Sequence, residues 1–578
     1  MFKIYKYEFN TGTSQEVGKL RHNKHDVGNN WPVVYVINND DEAYVGETVN
    51  AARRIDQHLQ NEDRQRLTEI RIISDETFNK SVILDLESFL IKYMASDGKY
   101  SLQNGNAGIR DHEYYSRLAY QDEFKKIWNA LRRKGVAQNP ITDIENSELY
   151  KYSPYKSLGK EQFDAEMQIL KAFSENRHEN GLTILVQGGA GTGKTILGIY
   201  LMKLFADIKK MGLDELKTFD EYTEEDVIAA VYAAENIVGI DKIGLVIPQK
   251  SLQTSLKKVF DKVQALDKTM VLSPNEVVKN YIKTGKYDLL IVDEGHRLKC
   301  HNHGNVANHK VFKDRNRDLG LDLDEGNELD WIMLCSENRI IFRDKYQTVR
   351  PCDIYTEEFN AILTKKYDNK AVLGLNLDTQ WRCAGGDAYV KFVKKLLSGE
   401  RADKQSFEDY DFSIYSDCNQ MIRDIKAKEQ ELGLCRVVAG FAWPWDRNDT
   451  EPYTIEIQGY KYRWNRTYDN WISTPTAIDE IGCIHTVQGY DLNYCGVIVG
   501  EELRYDKANR MIYVDKNNYY DQHGKSGVAD DPEALKDYII NIYTTLMTRG
   551  IKGTYVYVCD ESLRKQLLNN IGFEYSQR

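Results

Sequence analysis

At 578 residues, with 42% hydrophobic and 29% charged side chains, the chain has the makeup of a globular protein of about three or four domains. Its formal net charge of −11 excludes a protein that coats nucleic acid by bulk charge, while leaving room for a local basic groove inside an acidic shell. Met1–Asn10 has no signal-peptide apolar core, no run of about 18 apolar residues occurs, and nine cysteines without a C-x-x-C pair fit reduced thiols, so a soluble cytoplasmic protein with no membrane partner is expected.

Val33–Ile37 (VVYVI) and Ala43–Gly46 (AYVG) read as two short strands. The turn-forming Asn38-Asn39-Asp40-Asp41 between them makes a hairpin. Ala52, Ile55 and Leu59 share one face of the next helix, and Arg54 and His58, four residues apart, project together from it. A second helix near Val82–Met94 carries Glu87 among apolar residues, and 102–106 returns to loop. Phosphodiester hydrolysis needs a nucleophile, a Lewis acid and stabilisation of charge on the phosphorane. Glu87 can hold a divalent metal, and Arg54, always protonated and bidentate, can stabilise charge. Tyr35 or Tyr44 can assist proton removal from water, with His58 as shuttle or orienter. The plainer alternative makes both tyrosines core aromatics and puts Arg54 and His58 on a solvated helix face.

These residues resemble the GIY-YIG nuclease family. Val33-Val34-Tyr35 matches the first motif, Tyr44-Val45-Gly46 the second, and Arg54 and His58 the Arg-x-x-x-His that follows. Glu87 matches the metal-binding glutamate, and Asn104 the late asparagine, with Asn106 its rival. The first triplet lacks its Gly and Ile, which are backbone and packing positions. The resemblance implies a small α+β nuclease domain over residues 1–110, with Mg²⁺ or Mn²⁺ on Glu87 and Tyr35, Tyr44, Arg54, His58 and Asn104 as catalytic residues.

Phe124, Ile127, Trp128 and Leu131 predict an amphipathic helix ending at Gly135. Val136–Tyr152, polar and without a period, reads as a linker, so 111–152 is taken as a connector. Gln162 is the candidate reader of an adenine edge, having both a donor and an acceptor. The apolar run Ile184–Val186 leads into Gly188-Gly189-Ala190-Gly191-Thr192-Gly193-Lys194-Thr195 and then a helical pattern. That is a phosphate-binding loop, strand before and helix after. Backbone N–H groups at Gly189, Gly191, Thr192 and Gly193 can turn onto phosphates, Lys194 adds charge, and Thr195 can ligate Mg²⁺. ATP is the expected cofactor.

Ile243–Pro248 reads as a strand and Lys250–Phe260 as a helix. Tyr287–Val292 is an apolar strand delivering Asp293 and Glu294, the first to hold Mg²⁺ through water and the second to polarise attacking water. Ile340–Pro351 reads as a strand with Asp344 and Gln347 past it, where a γ-phosphate sensor would sit. Cys300, His301, His303 and His309 match no standard zinc spacing, and 297–334 reads as a polar insertion or mobile loop. Val372–Leu377 precedes Gln380-Trp381-Arg382. His485, Thr486, Gln488 and Gly489 precede a β-rich run, Tyr543–Gly550 carries Arg549, and 554–559 is a last strand.

The order of these motifs resembles superfamily 1 helicases, and more closely the bacterial helicase-like ATPases related to the Schlafen helicase domain, which Phe441–Arg447 and the QWR triplet fit. The resemblance implies two RecA-like parallel-sheet domains, 153–360 and 361–578, with ATP between them. It makes Arg382 and Arg549 arginine fingers, puts Gln488 and Gly489 beside the nucleotide, and offers Trp443, Trp445 and Tyr490 for base stacking, core packing being the alternative. The expected protein is an α/β enzyme that couples a metal-dependent endonuclease to a nucleic-acid-stimulated ATPase. Its substrate is DNA in preference to RNA, with anti-phage defence as the biological expectation. The alternative is a sensing ATPase switch that gates the nuclease without unwinding, and a third reading is a head that only binds DNA.

Overall fold

A computed structural model of the protein describes residues 2–105, 114–176, 181–189, 191–216, 240–300, 306–344, 352–367, 372–380, 383–402, 407, 410–445, 450–467, 471–487, 490–525 and 531–571. The chain forms two compact units. The first is built from Met1–Glu179, Thr195–Leu245 and Thr254–Val271, the second from Asn180–Lys194, Val246–Gln253 and Leu272–Arg578.

The N-terminal head is a five-stranded sheet with helices. Its strands are β1 (Lys3–Glu8), β2 (Val33–Asn38), β3 (Glu42–Thr48), β4 (Glu69–Ser74) and β5 (Ser101–Leu102), in the order β1-β4-β2-β3-β5. The run VVYVIN is central and buried along its whole length, as a β-branched and aromatic strand paired on both sides should be. The hairpin turn is set by one side chain: Asn39 Oδ1 accepts from the backbone N–H groups of Asp41 (2.9 Å) and Glu42 (2.7 Å). Helix α1 (Ala51–Leu59) starts at Asn50, whose side chain accepts from Arg53 N. Helix α2 (Lys80–Asp97) starts at Asn79 and stops at Gly98, where φ of 69° suits glycine.

The segment expected as a linker is packed structure. After helix α3 (Arg117–Arg133), short helices form at Ile141–Asn146 and Glu148–Lys151. Asp97 accepts from the backbone N–H groups of Gln138 (2.9 Å) and Asn139 (2.7 Å), and the Tyr93 hydroxyl donates to Glu145. Polar composition concealed this because the polar groups are satisfied by α2. Helix α4 (Lys160–Asn176) follows.

The next sheet contains β6 (Thr183–Gly188), β7 (Ile243–Val246), β8 (Val271–Leu272), β9 (Tyr287–Val292), β10 (Ser336–Arg343) and β11 (Val372–Leu377), in the order β8-β7-β9-β10-β6-β11. Helix α5 (Lys194–Leu216) follows β6, and α6 (Lys250–Phe260) follows β7. β9, β10, β6 and β11 run parallel. Ile341 of β10 is registered with Leu185 on one side and Val292 on the other, so the phosphate loop and the Asp293-Glu294 pair leave the same edge of the sheet. Residues 297–334 are not a mobile insertion where described. They form α7 (Val306–Asp318) and α8 (Glu328–Cys335), with Leu329, Trp331 and Ile332 in the core and Trp331 Nε1 donating to Asn316 Oδ1 at 2.7 Å. An Asn327/Asp330 capping box starts α8, a signal inside a stretch whose charge pattern reads as loop.

The last sheet has seven strands: β12 (Asp411–Tyr415), β13 (Cys435–Ala439), β14 (Ile455–Ile457), β15 (Tyr460–Trp464), β16 (Glu480–Cys483), β17 (Leu492–Val499) and β18 (Gly550–Val558). They lie in the order β12-β18-β17-β13-β16-β15-β14, parallel except for the β14–β15 hairpin. A small α+β domain followed by two parallel-sheet assemblies is the expected fold class.

One buried acid in this last assembly gives a pH prediction. Glu502 is inaccessible; the Tyr543 hydroxyl donates to its Oε1, and Oε2 has no partner among the described residues. Burial pushes its carboxyl from 4.5 up to about 7, the Tyr543 bond partly opposing. The folded state therefore holds this proton between 4.5 and 7 when the unfolded chain does not, so stability falls as pH rises through that window and is level above it. Glu502→Gln is expected to stabilise the chain by about 1–3 kcal/mol at pH 8, with the gain closing by pH 5. Denaturant unfolding at both pH values checks it.

Candidate active sites

Helix α1 and the β2–β3 hairpin bring the predicted nuclease side chains together. The Tyr35 ring lies over Gly46, its directly opposed residue, and a Cβ at Gly46 would overlap the Tyr35 hydroxyl. That requirement explains the glycine of the YVG triplet. The Tyr35 hydroxyl is 2.7 Å from His58 Nε2, and Arg54 Nε donates to the same Tyr35 oxygen at 3.4 Å. His58 packs edge-on against Tyr44, ring centroids 5.0 Å apart. Burial, with the Arg64 and Arg54 charges adding, pushes His58 down to about 2, so its imidazole is neutral. The Tyr35 hydroxyl and this neutral imidazole share one hydrogen bond, and the same Tyr35 oxygen takes the Arg54 N–H. Burial likewise holds Tyr35 well above its ordinary value.

Two neighbours were not foreseen. The Arg64 guanidinium stacks 3.7 Å from the Tyr44 ring centroid, in a loop whose sequence gave no period to place it. Glu47, directly after the YVG triplet, faces Glu87. Lys80 Nζ contacts Glu47 Oε1 at 2.6 Å, and the Glu47 backbone N–H donates to the Glu87 carboxylate. Its signal was the strand alternation that puts Glu47 two residues beyond Val45. Half-buried Glu87 is pushed up to about 8 by burial and by the Glu47 charge. Two hard carboxylates crowded together fit a divalent cation of the Mg²⁺ kind, which takes one or two protein carboxylates and completes its shell with water and phosphate. Among the described residues no cluster of three or more His, Cys, Asp or Glu forms a closed cage.

Asn104, expected among the catalytic residues, is committed to backbone. Its Oδ1 accepts from Val45 N at 3.0 Å and its Nδ2 donates to Val45 O at 2.8 Å. It holds the residue between Tyr44 and Gly46 and positions the hairpin. Its rival Asn106 lies outside the described residues. The tightness of the Tyr35–Gly46 contact gives a second prediction. Gly46→Ala is expected to displace the Tyr35 ring, lowering cleavage by about 10²-fold and stability by about 1–3 kcal/mol. Cleavage kinetics and thermal unfolding of the full chain measure the two effects.

At the phosphate loop, Gly191 and Gly193 both have φ of 80°, which turns successive N–H groups inward. Lys194 Nζ donates to the carbonyls of Gly188 (2.8 Å) and Gly189 (2.7 Å), and Thr192 Oγ1 to Gly189 O (3.1 Å). Asp293 comes directly after the last residue of β9, its N–H donating to Val246 O at 3.0 Å. Glu294 sits in the left-handed region at φ 53°, a strained place for a residue with a side chain. Gly295 is needed because a Cβ there would lie 2.6 Å from Ile341 Cγ2. His296 Nδ1 accepts from Asp344 N at 3.3 Å, leaving Nε2 to face Glu294 Oε2 at 3.0 Å. Burial alone would raise the Glu294 carboxyl; His296, Arg297 and Lys194 outweigh it and hold it well below the ordinary carboxylate range. So Asp293, Glu294, His296 and Asp344 meet at one edge. Gln162 is buried with Oε1 accepting from Gly159 N at 3.0 Å, so the structure uses it at the start of α4.

Arg549 is the one expected arginine finger that lies among the described residues. Its side chain is fully buried, with Nη1 donating to Tyr490 O at 3.3 Å. The next residue, Gly550, has no room for a side chain, since a Cβ there would overlap the Gly553 carbonyl where the pairing of β18 with β17 is irregular. Thr486 Oγ1 donates to Cys483 O at 2.8 Å, and His485 Nε2 lies 3.0 Å from Asp521 Oδ2. Trp445 stacks on Trp464 at 5.7 Å, and Tyr490 is buried. Arg382, Gln347, Gln488, Gly489, His301 and His303 lie outside the described residues. No metal cluster involving Cys300 or His309 occurs among the described residues.

Residues 182–560 match the DNA/RNA helicase domain of Schlafen group 3, and residues 32–101 match the GIY-YIG catalytic domain. The chain is 29% identical over 412 residues to the Saccharomyces cerevisiae "Uncharacterized protein YPL245W", covering 66% of this chain and 83% of that one. Among solved structures it aligns with a Pif1 helicase from Bacteroides crystallised with ADP-AlF3 and ssDNA. That alignment has 12% identity and a TM-score of 0.26, over 71% of this chain and 94% of that chain.

Proposed function

The chain belongs to the family of the Schlafen group 3 DNA/RNA helicase domain and carries a GIY-YIG catalytic domain ahead of it, and from that premise we propose an ATP-dependent enzyme that cuts nucleic acid. The substrate is DNA, and coupled cutting and ATP hydrolysis suit removal of foreign DNA. The division that goes with this reading is a nuclease head at 1–110, a connector at 111–152, and RecA-like domains at 153–360 and 361–578.

The observation that carries the nuclease reading is the chain Arg54 to Tyr35 to His58 beside the Glu47–Glu87 pair. A water against the Tyr35 oxygen is oriented for attack by that oxygen, and His58 Nε2, 2.7 Å away, holds the Tyr35 hydroxyl in place. Arg54, one bond from that oxygen, stabilises negative charge as it develops. Glu87 and Glu47 would hold a divalent metal, whose part is to polarise the scissile phosphate. Tyr44, capped by Arg64, packs the histidine from the other side and fixes its ring.

At the other site, Lys194 exchanges two neutral carbonyl acceptors for phosphate oxygens when a nucleotide binds, a stronger charge-assisted pairing. Asp293 and Thr195 would hold Mg²⁺. Glu294, kept ionised by His296 and Arg297, is a carboxylate suited to orienting water. The test is ATP hydrolysis and cleavage on a panel of single- and double-stranded DNA and RNA, with Mg²⁺ and with Mn²⁺. Cleavage of no member, or ATP hydrolysis indifferent to every member, sinks the proposal.

The burial of Arg549 favours a second reading, in which the ATPase senses a strand and gates the head without unwinding. ATPase stimulation without strand displacement on any forked substrate would select it.

A further inference from the structure

The backbone carbonyl of Asn104 is a meeting point inside the first unit. Lys203 Nζ donates to it at 3.4 Å and the Tyr155 hydroxyl at 3.2 Å. Lys203 lies on α5, the helix that Lys194 begins, and pairs one turn on with Asp207; both side chains are buried. The ammonium also lies 5.4 Å from the Tyr155 ring centroid. An ion pair this deep is a poor source of stability, because desolvation offsets much of the attraction. Its use lies in what the ammonium touches. The other end of Asn104 brackets Val45 with two hydrogen bonds, and Val45 stands between Tyr44 and Gly46, the seat of the Tyr35 ring.

We infer that Lys203, oriented by Asp207, is a positioning residue of the nuclease hairpin, through which helix α5 sets the geometry at Tyr35 and Tyr44 according to what the phosphate loop holds. The inference rests on reading 188–195 as a nucleotide loop and the head as a nuclease. A helix moves as a stiff rod, so a displacement at its first turn reaches Lys203 undiminished. The series from Lys203 to Asn104 to Val45 is a run of buried polar contacts, 3.4 Å at Asn104 O and then 3.0 and 2.8 Å at Val45, with Asp207 and Tyr155 bracing the ammonium end. A shift of about 1 Å at a reacting group costs about 10²-fold in rate, so small motions suffice.

The test uses the full chain with the double substitution Lys203→Met and Asp207→Leu. Apolar side chains of similar size usually replace a buried ion pair without loss of fold, whereas Lys203→Met alone would strand the Asp207 charge. Hydrogen–deuterium exchange of residues 42–48 is followed with and without saturating ADP and Mg²⁺. In the unsubstituted protein ADP is expected to change that exchange severalfold. In the double variant the change should vanish while ADP binding is kept. Cleavage should lose its dependence on ATP, with kcat lower by about 10-fold and KM for substrate unaltered. An equal response to ADP in both proteins overturns the inference, and so does no response in the unsubstituted protein with ADP bound, a result that stands even if the variant fails to fold. The underlying readings fail differently. If a titration detects no ADP binding, the nucleotide reading falls and this inference with it. If the hairpin responds but nothing is cut, the nuclease reading falls and the coupling stands.

Discussion

Glu87→Gln is expected to lower cleavage by about 10³-fold or more while leaving ATP hydrolysis at its unsubstituted rate. The amide keeps the size of the side chain and can still accept from the Glu47 backbone N–H, so the loss should be chemical rather than structural. It removes one of two crowded carboxylates, which relieves their mutual repulsion. The thermal midpoint should therefore hold or rise in metal-free buffer, and the stabilisation by added Mg²⁺ or Mn²⁺ should shrink. Lost cleavage together with a lost metal shift is the signature of a ligand. Lost cleavage with an unchanged metal shift would make Glu87 a proton carrier and move the metal elsewhere. Unchanged cleavage would sink the assignment of the head as a nuclease.

Glu47→Gln sharpens that result. Glu47 is the partner of Lys80 as well as the neighbour of Glu87. If Glu47 also binds the ion, its amide should weaken the metal shift as much as Glu87→Gln does. If it only holds Lys80, the metal shift stays and the cleavage loss is small.

The head shows how far the sequence carries and where it stops. The hairpin was legible because Asn38–Asp41 is turn chemistry and VVYVI has the composition of a buried strand. Arg54 and His58 were legible because four residues on a helix put side chains on one face. The role of Asn104 was not, since a bracket on Val45 depends on bringing residue 104 against residue 45, which no local pattern records. Glu47 and Arg64 were missed for the same reason: each gains meaning only from a neighbour in the fold. In the helicase domain, strand–loop–helix order was legible at 188–195 and 287–294, but that both leave one sheet edge came from the register of β10 between β6 and β9. The left-handed backbone of Glu294 and the contact that forces Gly295 came from packing against β10, outside the reach of a motif. The helices within 306–335 were hidden by charge, because their apolar residues cluster at Phe312 and Leu329–Met333 rather than repeating along a long face.

Lys194→Ala is expected to lower ATP hydrolysis by about 10²–10³-fold, because it removes the charge that meets the β and γ phosphates. The Gly188 carbonyl loses its side-chain donor in the variant while Gly189 keeps Thr192 Oγ1, and both lie near solvent at the loop where water can enter, so the fold should persist. Glu294→Gln makes the comparison that separates binding from chemistry. Its amide keeps the volume of the carboxylate in the same left-handed backbone and loses the ionised oxygen held by His296 and Arg297. Lys194→Ala should therefore weaken ATP binding and turnover together, whereas Glu294→Gln should keep binding and lose turnover. Both variants are then assayed for cleavage. If ATP hydrolysis drives the nuclease, both should cut poorly. If bound nucleotide alone sets the hairpin, Glu294→Gln should cut as the unsubstituted protein does with ATP, and Lys194→Ala as it does without. Retained turnover in Lys194→Ala would remove the nucleotide from the phosphate loop and the rest of this scheme with it.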